Sequence, residues 1–372
     1  MKPRVFLLVT GLKRGGAEAQ VAQLARGLHG LGLPVEVISL TPGGKFFDEL
    51  AAGGIQTASL EMDGRPALAV GLARLALRIR SKRPQVVHAH LFHANLLARL
   101  MRLAAPIPVV ISTLHSVAES GRKSRSTRGR DIAYRLTDSL SDANVAVSRE
   151  VAEQHVARGA VRVSKLRIVP NGVDTRRFRP DEAMRLRMRN QLGLDREFVW
   201  LWAGRMIWKK DPATLIGAFA RLGRGVLLVA GSGPEENSMR EMAQRCGARV
   251  IFLGERDDVA GLMQAADGFV LSSVVEGLPV VLLEAAASGL AVVATRAGGV
   301  AGIIEDGISG FLAPPGDAAA LADRMLRVME LSCDQRRRIG LVAREKVCAE
   351  FDANLVCRRW LDLYQELLGP WT

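Results

Sequence analysis

One rhythm constrains this chain more than any other feature. A short run of aliphatic and β-branched residues, then a turn, then a stretch with helical spacing recurs along both halves. In the first half Val5–Val9 is an apolar run of strand length, residues 11–16 form a loop, and residues 17–31 place Val21, Leu24, Ala25 and Leu28 on one helical face. Strands follow at 35–40, 86–88 and 109–112, with helices at 66–83 and 95–103. The second half repeats the pattern, with strands at 198–203, 226–230, 249–253, 268–271 and 291–294 and helices at 211–222, 235–246, 259–265 and 280–288. From Ala318 onward the spacing is helical throughout. Strands that alternate with helices predict βαβ units and parallel sheets. The chain therefore reads as α/β, with two doubly wound, Rossmann-like domains. Pro170, Asn171, Gly172 and Pro180 punctuate the junction between them.

With 372 residues, two domains are the default expectation. Cysteines at 246, 333, 348 and 357 form no CxxC pair and have no metal-ligand spacing, which fits a reducing cytoplasm. The apolar run after Met1 is about six residues, short of the ~7–15 of a signal-peptide core. No apolar stretch approaches the ~18 residues of a membrane span, and the best candidate, 280–294, carries Glu284. The expectation is a cytoplasmic protein, with peripheral association to the inner face of the cell membrane. The net charge of +13 is lopsided. Residues 1–170 hold 25 Lys/Arg and 12 Asp/Glu, while residues 171–372 hold 26 of each. A one-sided field attracts an anionic membrane, a phosphorylated ligand or nucleic acid, and it is also what solvated arginines produce. The basic stretches are 72–83 and a loop at 121–130. Few aromatics and no recognition motif argue against nucleic acid.

Ligands of open parallel sheets bind at the carboxyl ends of the strands, and two such domains facing each other would make a cleft. Four strand ends carry candidate chemistry. In the first, Gly15 and Gly16 open helix 17–31, where backbone amides can approach an anion; a plain strand–helix turn is the alternative. The second is His115, able to hydrogen-bond a substrate or simply occupy a loop. Nearby, His88, His90 and His93 have a spacing that admits a metal, but no Asp, Glu or Cys accompanies them, and a pocket wall explains them as well. The third is Gly204-Arg205 with Lys210, cations suited to a diphosphate or to a solvated basic turn. The fourth runs from Glu276 through Gly277, Leu278, Pro279 and Val280 to Glu284. Its carboxylates lie just over two helical turns apart, with Pro279 suited to a first turn. Glu284, buried in an apolar helix, needs a partner. A sugar or ribose hydroxyl pair is one, and a neighbouring helix end is another.

Taken together these residues resemble the family 4 retaining glycosyltransferases of the GT-B fold. The resemblance rests on Gly15-Gly16-Ala17-Glu18, His115, Val169-Pro-Asn-Gly-Val-Asp174 with Phe178-Arg-Pro180, and Gly204-Arg205 with Lys210. Gly231-Ser-Gly-Pro-Glu235, Val270-Leu-Ser-Ser273, Glu276-x7-Glu284 and Ala297-Gly-Gly299 complete it, so it spans nearly the whole chain. Two positions depart from the family pattern. Ser232 stands where an acidic residue is common, and Ala301-Gly302 stand where Pro-Glu is usual.

The resemblance implies an acceptor-binding domain at 1–170, a nucleotide-sugar domain at 171–354 and a helix at 355–372 that packs back on the first domain. Arg205 and Lys210 would neutralise the donor diphosphate, Glu284 would hold the ribose, and Glu276 with the amides of Gly277–Val280 would hold the sugar. Gly231 would complete the donor pocket and Gly254 would border the base. Gly16 and His115 would meet the sugar-phosphate and the sugar. His115, Arg205, Lys210 and Glu276 are the implied catalytic set. No metal and no other cofactor is implied, and UDP is the expected nucleotide in preference to GDP. The implied reaction is retaining transfer of a hexose or N-acetylhexosamine to a glycan or lipid-linked acceptor in surface-polysaccharide synthesis. A sugar-nucleotide epimerase of the same fold and a non-catalytic nucleotide-sugar-binding partner are the alternatives. A dinucleotide dehydrogenase is disfavoured, because neither half carries GxGxxG after its first strand.

Overall fold

The computed structural model describes residues 2–117 and 124–371. The chain divides into two compact units, Met1–Gly172 with Ala353–Thr372, and Val173–Asp352. The expected boundaries at 170/171 and 354/355 lie two residues from these.

The first unit runs β1 (Val5–Val9), α1 (Gly16–Gly30), β2 (Val35–Ser39), α2 (Lys45–Ala52), β3 (Gln56–Ser59), α3 (Arg65–Lys82), β4 (Val86–His90) and α4 (Phe92–Met101). It continues with β5 (Val109–Leu114), α5 (Ser124–Thr137), β6 (Ala143–Ala146), α6 (Arg149–Ala157) and β7 (Leu166–Ile168). The second holds α7 (Glu182–Gln191), β8 (Val199–Ala203), α8 (Pro212–Leu222), β9 (Val226–Ala230), α9 (Glu236–Arg245), β10 (Val250–Gly254) and α10 (Val259–Ala265). There follow β11 (Gly268–Leu271), α11 (Val280–Ala287), β12 (Ala291–Thr295), α12 (Val300–Ile303), β13 (Phe311–Ala313), α13 (Ala318–Glu330) and α14 (Cys333–Glu350). The last helix, α15 (Ala353–Leu368), belongs to the first unit.

Both sheets are fully parallel. The first has the order β3-β2-β1-β4-β5-β6-β7 and the second β10-β9-β8-β11-β12-β13. The order reverses between β1 and β4 and again between β8 and β11. Such reversals are where loops diverge and ligands bind in open α/β sheets.

Period-two alternation sorts the strands of the first unit. Val5, Leu7 and Val9 join one apolar layer with α1 and α15, while Phe6 and Leu8 join the layer beneath α3 and α4. The same alternation carries β4. Val87 and Ala89 face α3 and α4, so His88 and His90 share the face of Val86, toward α15. There His88 Nδ1 meets the Tyr364 hydroxyl at 2.8 Å and its Nε2 meets Thr113 Oγ1 at 2.6 Å. The buried phenol needs an acceptor, so Tyr364 donates to Nδ1 and Nε2–H donates to Thr113. Trp360 packs on the same ring, 4.3 Å between centroids. Along α15, Val356, Cys357, Trp360, Leu363 and Tyr364 are all buried, the i, i+4, i+7 stripe of an amphipathic helix.

Several elements differ from the sequence expectations. β4 reaches His90, and β5 reaches Leu114. α4 begins at Phe92 rather than at 95, directly after Leu91 in a left-handed conformation (φ 71°). The expected basic loop at 121–130 is helical from Ser124 onward, and residues 118–123 lie outside the described residues. Four short strands were not expected: β3, β6, β7 and β13, of three or four residues each. Helices α2, α5, α6, α7 and α12 were also not expected. α7 is strongly polar and docks mainly through its arginines: Arg185 and Arg189 both pair with Asp267. No helix among the described residues is long and apolar enough to cross a membrane.

Tyr364→Phe removes the one hydroxyl on His88 Nδ1 and leaves a buried ring nitrogen unpaired. The expected loss is about 1–3 kcal/mol of stability. Denaturant unfolding of parent and variant checks it, and equal midpoints would contradict the assigned bond.

Candidate functional site

In the second unit the carboxyl ends of β8, β9 and β10 are bare backbone. Gly204 N donates to Ala230 O, and Gly231 N donates to Gly254 O at 2.7 Å. A Cβ on Gly231 (φ 132°) would lie 1.9 Å from the Gly204 carbonyl oxygen, so only glycine lets these two loops meet. Beyond Gly204, Arg205 is exposed, and a 3-10 turn at Trp208–Lys210 precedes α8. The hydroxyl of Ser232 donates to Glu255 at 2.6 Å, so the departure at 232 is tied to the residue after Gly254.

Across the order reversal, β11 ends in a loop that is strapped to the β8 loop. Val274 N donates to Lys209 O, and Ser272 Oγ donates to Lys210 O at 2.7 Å. This brings Lys210 Nζ within 2.5 Å of Glu276 Oε1, which also accepts from Ser273 Oγ at 2.6 Å. Both donors converge on one carboxylate oxygen. Glu276 is buried at 9% exposure. Behind it, Gly298 (φ 52°) lies so close that a Cβ would meet the Glu276 carbonyl at 2.1 Å, and Gly299 N donates to Gly277 O. Pro279 sits one residue ahead of α11, and Leu278 is buried beneath the turn.

Glu284 is half-buried on the apolar helix α11. Among the described residues no hydrogen bond reaches its carboxyl. The protein around it pushes the pKa up to about 7, against the pull of the Arg177 guanidinium. Ser273, Gly298 and the Lys209 carbonyl organise this site, and sequence reasoning assigned them no role. Ser273 and Gly298 lie within the motifs Val270–Ser273 and Ala297–Gly299 that carry the family resemblance.

The first unit has its own polar strand ends. His90 Nδ1 and His115 Nε2 are 3.1 Å apart. Burial pushes His115 down to about 4, His88 down to about 3 and His90 well below 6.5, so all three rings are neutral near pH 7. His90, Thr113, His115, Gln20, Asn171 and Trp360 are among the residues around a small cavity of about 20 Å³. The turn at 171–172 is fixed by Gln20, whose amide donates to Gly172 O at 2.8 Å and accepts from Gly172 N at 2.7 Å. His88, His90 and His93 do not converge on a common point, and no group of three or more His, Cys, Asp or Glu among the described residues could hold a metal ion. Gly15 is the N-cap of α1 and Gly16 its first residue, with the Glu18 carboxyl folded back over Gly15.

Comparison with known proteins gives a consistent picture. The family profile "Glycosyltransferase Family 4" matches residues 14–177, and "Glycosyl transferases group 1" matches residues 197–331. The chain is 28% identical to the D-inositol 3-phosphate glycosyltransferase of Xylanimonas cellulosilytica, over 95% of this chain and 92% of that one. It is 26% identical to the Escherichia coli UDP-Gal:alpha-D-GlcNAc-diphosphoundecaprenol alpha-1,3-galactosyltransferase, over 68% of each. Among solved structures, Anabaena Alr3699/HepE in complex with UDP-glucose superposes with a TM-score of 0.89 at 22% identity, over 98% of this chain and all of that one. Sucrose-phosphate synthase from Thermosynechococcus elongatus gives 0.86 at 21% identity, over 98% and 99%. The fold is GT-B.

The raised Glu284 pKa has a signed consequence. Between about 4.5 and 7 the folded chain holds a proton that the unfolded chain has released, so this group's contribution to stability falls as pH rises through that window. Glu284→Gln is therefore expected to melt higher than the parent at pH 8 and level with it at pH 4.5. Melting curves across that range check it, and a constant offset would contradict it.

Proposed function

This chain belongs to the family 4 glycosyltransferases, and on that premise we propose that it transfers a hexose or N-acetylhexosamine from a UDP-sugar, with retention and without a metal ion, to a glycan or lipid-linked acceptor. The observation that carries this reading is the Lys210–Glu276 pair at the order reversal of the second sheet, on a floor of glycine backbone. One relative supports the acceptor class by what its name says it acts on, a diphosphoundecaprenol-linked sugar.

The chemistry follows from the residues. When the bond from the anomeric carbon to the diphosphate lengthens, negative charge grows on the leaving oxygen. Arg205 and the Lys210 ammonium supply fixed positive charge for it, the kind of electrostatic stabilisation that dominates such reactions. Lys210 is already held by Glu276, so an arriving diphosphate takes over an oriented ammonium. Glu276 keeps Ser273 on Oε1 and has Oε2 to accept from a sugar hydroxyl. Glu284, with no hydrogen-bond partner on its carboxyl among the described residues, is suited to a pair of ribose hydroxyls. The amides of Gly277–Val280, and Gly231 and Gly254, complete the donor side. Gly15, Gly16 and His115 stand at strand ends of the first unit, where they are suited to a sugar-phosphate oxygen and a sugar hydroxyl. The acceptor hydroxyl attacks on the face from which the diphosphate departs, and its proton passes to the leaving phosphate oxygen.

The charge excess of the first 170 residues supports a peripheral membrane role on the inner face of the membrane, with surface-polysaccharide synthesis as the setting. α3 exposes Leu68, Val70 and Leu77 beside its basic residues. Arg74 and Arg78 are already paired with Glu61 and Glu36, so the field available from this helix is smaller than its composition implies.

Two measurements test the reading. A UDP-sugar at ~100 times its dissociation constant is expected to add about 2.7 kcal/mol of stability, undiminished by EDTA. Glu284→Ala should weaken that binding and Arg205→Ala should mainly lower turnover, each by about 1.5–3 kcal/mol. Loss of the shift in EDTA would overturn the metal-free reading, and parent-like variants would overturn the site. Separately, the protein should float with anionic vesicles at low salt and release at high salt. Absence of flotation at low salt would refute membrane association.

A further inference from the structure

We infer that His90 is a positioning residue for His115: it donates from Nδ1 to His115 Nε2 and so holds the His115 ring with its proton on Nδ1. The inference rests on the reading above that His115 meets the sugar donor; its own basis is the geometry of β4 and β5.

The two ring nitrogens are 3.1 Å apart, and the ring centroids 5.3 Å apart. One of them carries the shared proton. His90 is 2% exposed, and among the described residues no group reaches its other nitrogen, Nε2. Were the shared proton on His115 Nε2, neutral His90 would carry its own proton on Nε2, a buried donor with no protein acceptor. The opposite arrangement leaves only a ring lone pair there. Unpaired buried N–H groups are rarer than under-satisfied acceptors, so His90 donates. His88, whose ring centroid lies 4.2 Å from that of His90, does not compete, because Tyr364 and Thr113 take both its nitrogens.

The consequence is chemical. A neutral imidazole whose Nε2 lone pair is occupied offers only an N–H at Nδ1. His115 is then a fixed hydrogen-bond donor to a hydroxyl or phosphate oxygen, and it cannot act as a general base. Leaving-group stabilisation by donors suits that role, and proton abstraction from the acceptor does not need it.

Nitrogen-15 NMR of the full chain labelled at histidine reads the tautomer directly. The chain has six histidines, and His115→Gln assigns the signal by difference. The expected parent spectrum at pH 7.5 has His115 protonated on Nδ1. In His90→Leu that preference is lost. In His90→Asn it returns, because the amide nitrogen falls near the place of Nδ1. Turnover should follow, with kcat down about tenfold in His90→Leu, little change in KM for the UDP-sugar, and recovery in His90→Asn. A parent His115 protonated on Nε2, or a His115 signal unchanged in His90→Leu, would overturn the inference. If no UDP-sugar supports transfer, the proposed activity fails by itself, and the nitrogen spectrum still decides this point.

Discussion

A strand in the middle of a parallel sheet is covered on both faces, so its polar side chains must find partners inside the protein or wait for the strand's carboxyl end. Both units largely follow this, although the indole N–H groups of Trp200 and Trp202 in β8 are buried without a partner among the described residues. β1, β8, β9 and β11 are buried along their length, and chemistry begins only where they stop. β2, β5 and β6 carry buried polar side chains as well, and β4 carries imidazole rings. It carries His88 and His90 within the buried strand, and α15 is what makes that tolerable, because Tyr364 and Trp360 close over His88. The last helix thus belongs to the first unit for a reason of polarity as well as of apolar packing.

In the second unit the proposed donor would pose a different problem. A dianionic ligand needs cations held ready and backbone that can come close. Gly204, Gly231 and Gly254 remove side chains from three neighbouring strand ends, and the strap between the β8 and β11 loops sets Lys210 against Glu276. Neither residue is positioned by its own element alone. The pair exists because the reversal of strand order makes β8 and β11 neighbours although α8, β9, α9, β10 and α10 lie between them in the chain.

The fold class was legible because strand and helix periods differ so plainly along this chain, and central strands such as β9 and β11 were bounded correctly to the residue. What was not legible was short or polar. β3, β7 and β13 are edge strands with too few residues to show a period, and α5 and α7 lack an apolar stripe. For the site, residues that carry charge could be found from type and spacing. Ser273 and Gly298 could be located within motifs, but what they hold could not be read, because it depends on loops brought together by the sheet. His90 could be singled out by sequence, but its pairing with His115 required the register that places it beside Thr113.

The two units are not equivalent in how they are assembled. Unit two is one continuous segment, while unit one needs residues 353–371, which are synthesised only after all of residues 173–352. During translation the second unit can complete itself as it leaves the ribosome, in keeping with domains folding as units. The first unit, although its strands are made earlier, must wait with the α1 layer and His88 uncovered. Premature termination near residue 352 would therefore damage the end of the protein that was made first, and a chaperone that shields nascent chains would find its natural footing on the face later covered by α15.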